Sequence, residues 1–271
     1  MSDADGDAGP DGVRPAGSMP GNGLPSRRAL IVEIWVVMGL SLGASAVFAA
    51  LDLVGSLTKG VALNAQTAVI NGSASPNSVL DLAYQLAGIA AALMPVVLVA
   101  YLLFRSGESL RSIGLDTSGP GRELAWGAGL AAVVGGAGLG LYLVAFHHGL
   151  SARVVPTTLP PTWWRIPVLV LLAFENALLE EVVVCGYLLH RLDQIEWPEN
   201  RSLLTSAALR GSYHLYQGLG GFVGNFAMGL LFGRLYQRQR RLGRLVIAHA
   251  LIDTGAFVGY VLLHGHVSWL P

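Results

Sequence analysis

Long stretches with little charge recur seven times along this chain of 271 residues, at 29–55, 79–104, 123–147, 166–192, 202–217, 219–237 and 244–264. A hydrocarbon layer about 30 Å thick is crossed by roughly 20 apolar residues in a helix, which satisfies every backbone polar group within the segment. The segments between the runs carry helix breakers or charge: 71–78 with Pro76, 106–122 with Pro120, 155–164 with three prolines, and 196–201. The expected fold is therefore all-α, a polytopic transmembrane bundle of about seven spans in the cell membrane. Charged residues make up 13% of the chain, against about 25% in soluble domains. A soluble all-α protein of this composition would have to hide nearly every helix face.

Residues 1–28, rich in Gly, Pro and Asp and ending in Arg27 and Arg28, read as a disordered cytosolic tail. The apolar run that follows starts too late and runs too long for a cleaved signal peptide, so the first helix is expected to stay attached. With this tail inside, thirteen arginines fall on inner segments, from Arg14, Arg27 and Arg28 to Arg240, Arg241 and Arg244. Only Lys59, Arg153 and Arg165 fall outside, and Arg210 is left within a helix. That asymmetry predicts an N-in, C-out topology. Trp163, Trp164 and Trp269 fall at the outer boundaries, where indoles favour the interface. Zero net charge gives no argument for a nucleic-acid partner, and the single cysteine, Cys185, excludes an internal disulfide and stands in no metal-ligand spacing.

A charge inside a lipid-facing helix costs at least about 2.5–3.5 kcal/mol, so intramembrane charges mark protein-lined cavities or functional sites. The fourth run places Glu175, Glu180 and Glu181 within two turns, with Asn176 beside them. The fifth puts Arg210 and His214 four apart on one face, the seventh puts His249 and Asp253 at the same spacing, and the sixth contributes Asn225. Adjacent Glu180 and Glu181 point about 100° apart around a helix, so one can face a cavity while the other braces a neighbour. Two carboxylates close together in a low dielectric cannot both ionise cheaply without a cation or metal, and such a group is a plausible base for water. The histidines and Asp253 suit metal ligation or hydrogen bonding to an oxyanion, and hydrogen bonding across a helix interface is their bland alternative. Glu175, Asn176 and Asn225 read as supporting polar groups.

The order of these blocks resembles the CAAX-processing and bacteriocin-immunity (CPBP, or Abi) family of intramembrane proteases, whose pattern is Glu-Glu-x-x-x-Arg, then Phe-x-x-x-His, then His-x-x-x-Asn or His-x-x-x-Asp. Glu180-Glu181 begins the first block, His214 ends the second, and His249 with Asp253 forms the third. The likeness covers roughly residues 165–260, within a catalytic helix core expected over 165–264, and 29–148 would be additional amino-terminal transmembrane helices. The resemblance implies peptide-bond hydrolysis on a membrane-associated protein or peptide, prenylated in the CAAX case, with Glu180 and His214 activating water and His249 with Asp253 stabilising the oxyanion. Zinc or another divalent ion on Glu180, His214 and His249, or no metal at all, are both compatible with it. Two positions depart from the pattern: Cys185 stands where the arginine is expected, and Arg210 where the phenylalanine is expected. The expectation is that Arg210 crosses a helix interface to serve the same carboxylates, since an unpaired intramembrane arginine is costly. Cys185 itself is expected to be an inert core residue, because an apolar helix disfavours its thiolate. A catalytically silent scaffold or immunity protein is the alternative, and a transporter a more distant one. His214 lies about 20 Å beyond Arg201 and His249 about 8 Å beyond Arg244, so the site demands that the fifth helix start outside the lipid or tilt.

Overall fold

The computed structural model describes residues 25–116 and 119–267. Helix α1 (Arg27–Gly39) starts where Ser26 Oγ accepts the Ala29 amide, and α2 (Leu42–Thr58) follows at a 47° bend. The first apolar run is thus a broken pair, and the expected tail stops short of Arg27; residues 1–24 of that tail lie outside the described residues. Strand β1 (Thr67–Asn71) precedes α3 (Ser78–Ala92), whose first turn is capped by Asn77 Oδ1 on the Val79 and Leu80 amides. Helix α4 (Met94–Arg105) abuts α3 at Leu93, because Pro95 has no N–H to continue the ladder.

Helix α5 (Pro120–His147) leads to strand β2 (Arg153–Thr157), then α6 (Arg165–Glu180). The run continues without interruption through a π-helical segment, Glu181–Leu188, into α7 (Leu189–Gln194). Three consecutive valines, Val182 to Val184, and Gly186 fall in the π segment; β-branched side chains lose rotamer freedom in a tight α turn, and π segments gather at functional sites. Helix α8 (Glu199–Ser212) ends early, a 3₁₀ turn at Leu215–Gln217 follows, and α9 (Leu219–Gln239) and α10 (Leu242–Leu263) complete the bundle.

The chain is mostly helical, but the all-α expectation needs correction. β1 and β2 form a parallel pair in register from Thr67↔Arg153 to Asn71↔Thr157, with α3, α4 and α5 between them in sequence. They mark one end of the bundle. There Trp164 Nε1 donates to Ser78 Oγ at 3.0 Å and Ser151 bridges Gly218. Gly218 has φ +98°, and a Cβ there would meet the Leu150 carbonyl at 2.7 Å, so only glycine fits. Ion pairs mark the opposite end: Arg244 holds Glu123 through two bonds of 2.8 and 3.0 Å, Arg240 holds Asp193 and Arg234 holds Glu199. Between the two ends the described chain passes seven times, as α1–α2, α3–α4, α5, α6–α7, α8, α9 and α10.

By length and composition, three described helices are able to cross a membrane, Ser78–Arg105, Pro120–His147 and Leu242–Leu263, or four if the bent α1–α2 pair counts as one. Of the most apolar stretch of Pro120–His147 only 6% is buried within the protein, and of Ser78–Arg105 only 11%. Apolar side chains therefore face outward, as a lipid solvent requires and water forbids; this is a membrane protein. Trp163 is 84% exposed, whereas Trp164, expected at the same interface, is buried against Ser78 instead. Trp269 lies outside the described residues.

Polar residues line the packed interior. Fully buried Arg191 donates to Glu108 Oε2 at 2.6 Å, Gln194 Oε1 at 2.7 Å and Ser106 Oγ at 2.9 Å, and lies 3.6 Å from Glu33. It ties α1, the segment after α4, and α7 together at the charged end. Helices α8 and α9 form an antiparallel hairpin whose backbones touch at Gly229, where a Cβ would stand 2.8 Å from Ala207 Cα and 3.3 Å from Arg210 Cδ. Gly229→Leu is expected to cost about 1–3 kcal/mol by overpacking, read as a lower unfolding temperature in detergent micelles, with Gly255→Leu, which meets open space, as the neutral control.

Candidate active site

The two adjacent glutamates end α6 and open the π segment, about halfway along the helical run 165–194, and both are buried. They turn to different partners. Glu181 Oε1 accepts Arg210 Nη2 from α8 at 2.5 Å and His249 Nδ1 from α10 at 2.8 Å, so one carboxylate oxygen joins three elements. Arg210 has no exposed surface and its guanidinium lies 5.6 Å from the Phe232 ring centroid. The arginine of the second block thus reaches the carboxylates of the first.

Glu180 faces the end of α8. Its Oε2 accepts the Tyr213 hydroxyl at 2.7 Å, and Arg210 Nη2 lies 4.0 Å from the same oxygen. Its other oxygen, Oε1, lies 4.0 Å from His214 Nε2. That separation is too long for a direct hydrogen bond and suits one bridging water. His214 Nδ1 is 3.0 Å from the Arg210 carbonyl, which can only accept, so Nδ1 carries the proton and a neutral ring presents Nε2 as an acceptor toward Glu180. The helix stops at Ser212, and His214 sits in the turn before the 3₁₀ segment. The depth problem posed by the sequence is met by a short helix and a turn rather than by a long tilted span.

His249 is gripped on both sides. Beyond the Glu181 bond, its Nε2 stands 3.6 Å from Asp253 Oδ2, and Asp253 in turn accepts Asn176 Nδ2 from α6 at 2.7 Å. Glu175, on the same helix, interacts electrostatically with Glu180 and Asp253. Five of the expected site residues, Glu180, Glu181, His214, His249 and Asp253, therefore stand together with Arg210. Asn225 does not join them, because its amide donates back to the Gly221 carbonyl of its own helix at 3.0 Å.

Tyr213 is the participant that helix-face reading passed over. Its signal was its place beside His214 and three residues after Arg210. Among the described residues no group of three or more His, Cys, Asp or Glu side chains is arranged to hold a metal ion. Glu180, His214 and His249 do not converge as a donor set: Glu180 is held by Tyr213, and His249 turns its Nε2 toward Asp253. The residues present do not fit a metal centre.

Fold and site together define a class: a helical membrane protein with a buried acid, imidazole and guanidinium network reached by three separate elements. Residues 162–255 match the sequence model of the Rce1-like family, described as type II CAAX prenyl endopeptidase Rce1-like, a match that supports the CAAX-protease family for this part of the chain. The matched stretch begins just before α6 and ends within α10, so it contains every side chain of the network. No curated protein and no solved structure matches the chain.

Proposed function

We propose that the chain is an intramembrane endopeptidase that hydrolyses a peptide bond of a membrane-associated substrate, with water activated by Glu180 and His214. The observation that carries this reading is the 4.0 Å gap between Oε1 of the buried Glu180 and Nε2 of the half-buried His214, with the imidazole held in the tautomer that accepts. Water in that gap gives a proton to one of the two bases while its oxygen bonds to the carbonyl carbon. The C–N bond then breaks and the proton passes to the leaving amine, so the bases end as they began.

His249 is suited to the developing oxyanion as an imidazolium, which gives Nδ1–H to Glu181 and has Nε2–H left to donate. An ionised carboxylate donates nothing, so Asp253, itself held by Asn176, serves to orient that ring. Residues 165–264 form the catalytic core in this reading, with 29–148 as the amino-terminal helices around it and 1–28 as a cytosolic tail. The seven passes are seven crossings of the cell membrane, with the ion-paired end in the cytosol, where the arginines collect. The family relation supports a prenylated, membrane-anchored protein as substrate.

The test is hydrolysis of a farnesylated, fluorogenic peptide ending in a CAAX sequence by the purified protein in liposomes. Wild type is expected to cleave it, and Glu180→Ala, His214→Ala and His249→Ala each to slow cleavage at least about 100-fold. Cleavage undiminished by all three changes removes this site; binding without cleavage by the wild type favours the silent scaffold.

A further inference from the structure

We propose that Tyr213 is a positioning residue that decides which oxygen of Glu180 faces the water; this rests on the hydrolytic reading above. Tyr213 is 5% exposed and follows the last residue of α8. Its hydroxyl donates to Glu180 Oε2 at 2.7 Å, and its ring packs on His214 with centroids 4.8 Å apart at 41°. One side chain therefore touches both bases.

The need for such a tether comes from Arg210. Its Nη2 stands 4.0 Å from the oxygen that Tyr213 engages, while it binds Glu181 at 2.5 Å. The terminal torsion of a glutamate is soft and roughly two-fold, so an untethered Glu180 is free to turn onto the guanidinium beside it. A carboxylate in a close ion pair is a poorer base. The tyrosine hydroxyl, donating to Oε2 at 2.7 Å, holds that oxygen and leaves Oε1 aimed at His214 Nε2. Glu181 then serves as the counter-charge of Arg210, and Glu180 stays available for chemistry. The two adjacent carboxylates are thus given different tasks by one hydroxyl and one guanidinium from the same helix end.

The experiment compares wild type, Tyr213→Phe, Glu180→Gln and Tyr213→Phe/Glu180→Gln in the liposome peptide assay and by infrared spectroscopy of protein carrying ¹³C-labelled glutamate. Tyr213→Phe is expected to lower kcat about 10- to 100-fold, the worth of a hydrogen bond to a charged group, with KM and unfolding temperature unchanged. The Glu180 carboxylate band, isolated by subtracting each Glu180→Gln spectrum, is expected to move in Tyr213→Phe. An unchanged kcat in Tyr213→Phe, alongside an inactive Glu180→Gln, overturns the inference while leaving the hydrolytic reading intact. If the wild type cleaves nothing, the hydrolytic reading fails on its own; a Glu180 band that does not move on loss of the hydroxyl overturns the tether with or without activity.

Discussion

Arg210→Met is expected to lower the free energy of unfolding by about 3–5 kcal/mol, the usual cost of stripping one partner from a buried ion pair. The substitution keeps an unbranched chain against Phe232 but takes the guanidinium away from Glu181, which has no exposed surface and keeps its bond to His249. Glu181→Gln is expected to be damaging for the mirror reason, a buried guanidinium without its carboxylate. The double variant Arg210→Met/Glu181→Gln removes both charges and should recover most of the loss, because a neutral pair carries no desolvation debt. Reversible unfolding in mixed micelles measures the cycle, and a coupling energy near zero would show that the 2.5 Å contact contributes nothing to stability.

The same pair explains how this sequence departs from the family pattern without losing a charge. The family arginine would stand at 185, one turn beyond Glu181, where the chain has a buried cysteine that neighbours both Glu181 and Arg210. In this chain the guanidinium beside Glu181 comes from the helix that faces the glutamates. Arg210→Phe alone strands Glu181, and Cys185→Arg alone forces a second cation beside Arg210. Together they restore a single guanidinium beside the glutamate pair, so the double variant is expected to be more stable and more active than either single change. A double variant no better than the worse single one would mean that the two positions are not equivalent.

The helices were legible because a run of apolar residues fixes a crossing almost regardless of what surrounds it. The site was legible because intramembrane charge is costly enough to be sparse, which left Glu180, Glu181, Arg210, His214, His249 and Asp253 conspicuous. The pattern could not show where a run breaks. Pro95 splits the second run into α3 and α4, and a 47° bend splits the first, yet both remain apolar throughout. The β1–β2 pair was hidden because its partners lie on either side of three helices, and neither strand has a signal beyond a few β-branched residues between turns. Arg191 read as one more cytosolic charge at a helix end. It is instead wholly buried among Glu108, Gln194 and Glu33, contacts set by tertiary packing. Tyr213 escaped because a search at i, i+4 spacing follows a helix that here has already ended at Ser212.

Glu180→Gln and His214→Ala are each expected to reduce kcat by about 10²–10⁴-fold, the usual worth of a general base, while the protein stays folded, since neither change strands the Arg210–Glu181 pair. The informative variant is the double one. If both groups act on a single water in the 4.0 Å gap between them, removing the second costs little once the first is gone, as residues that act as a unit are strongly non-additive. The double variant should therefore be no slower than the worse single one. Losses that multiply would assign the two groups to separate steps, such as attack and protonation of the leaving amine. Asn225→Ala, which removes an amide that donates to its own helix, should leave kcat unchanged and so sets the baseline for a half-buried polar side chain lost outside the network.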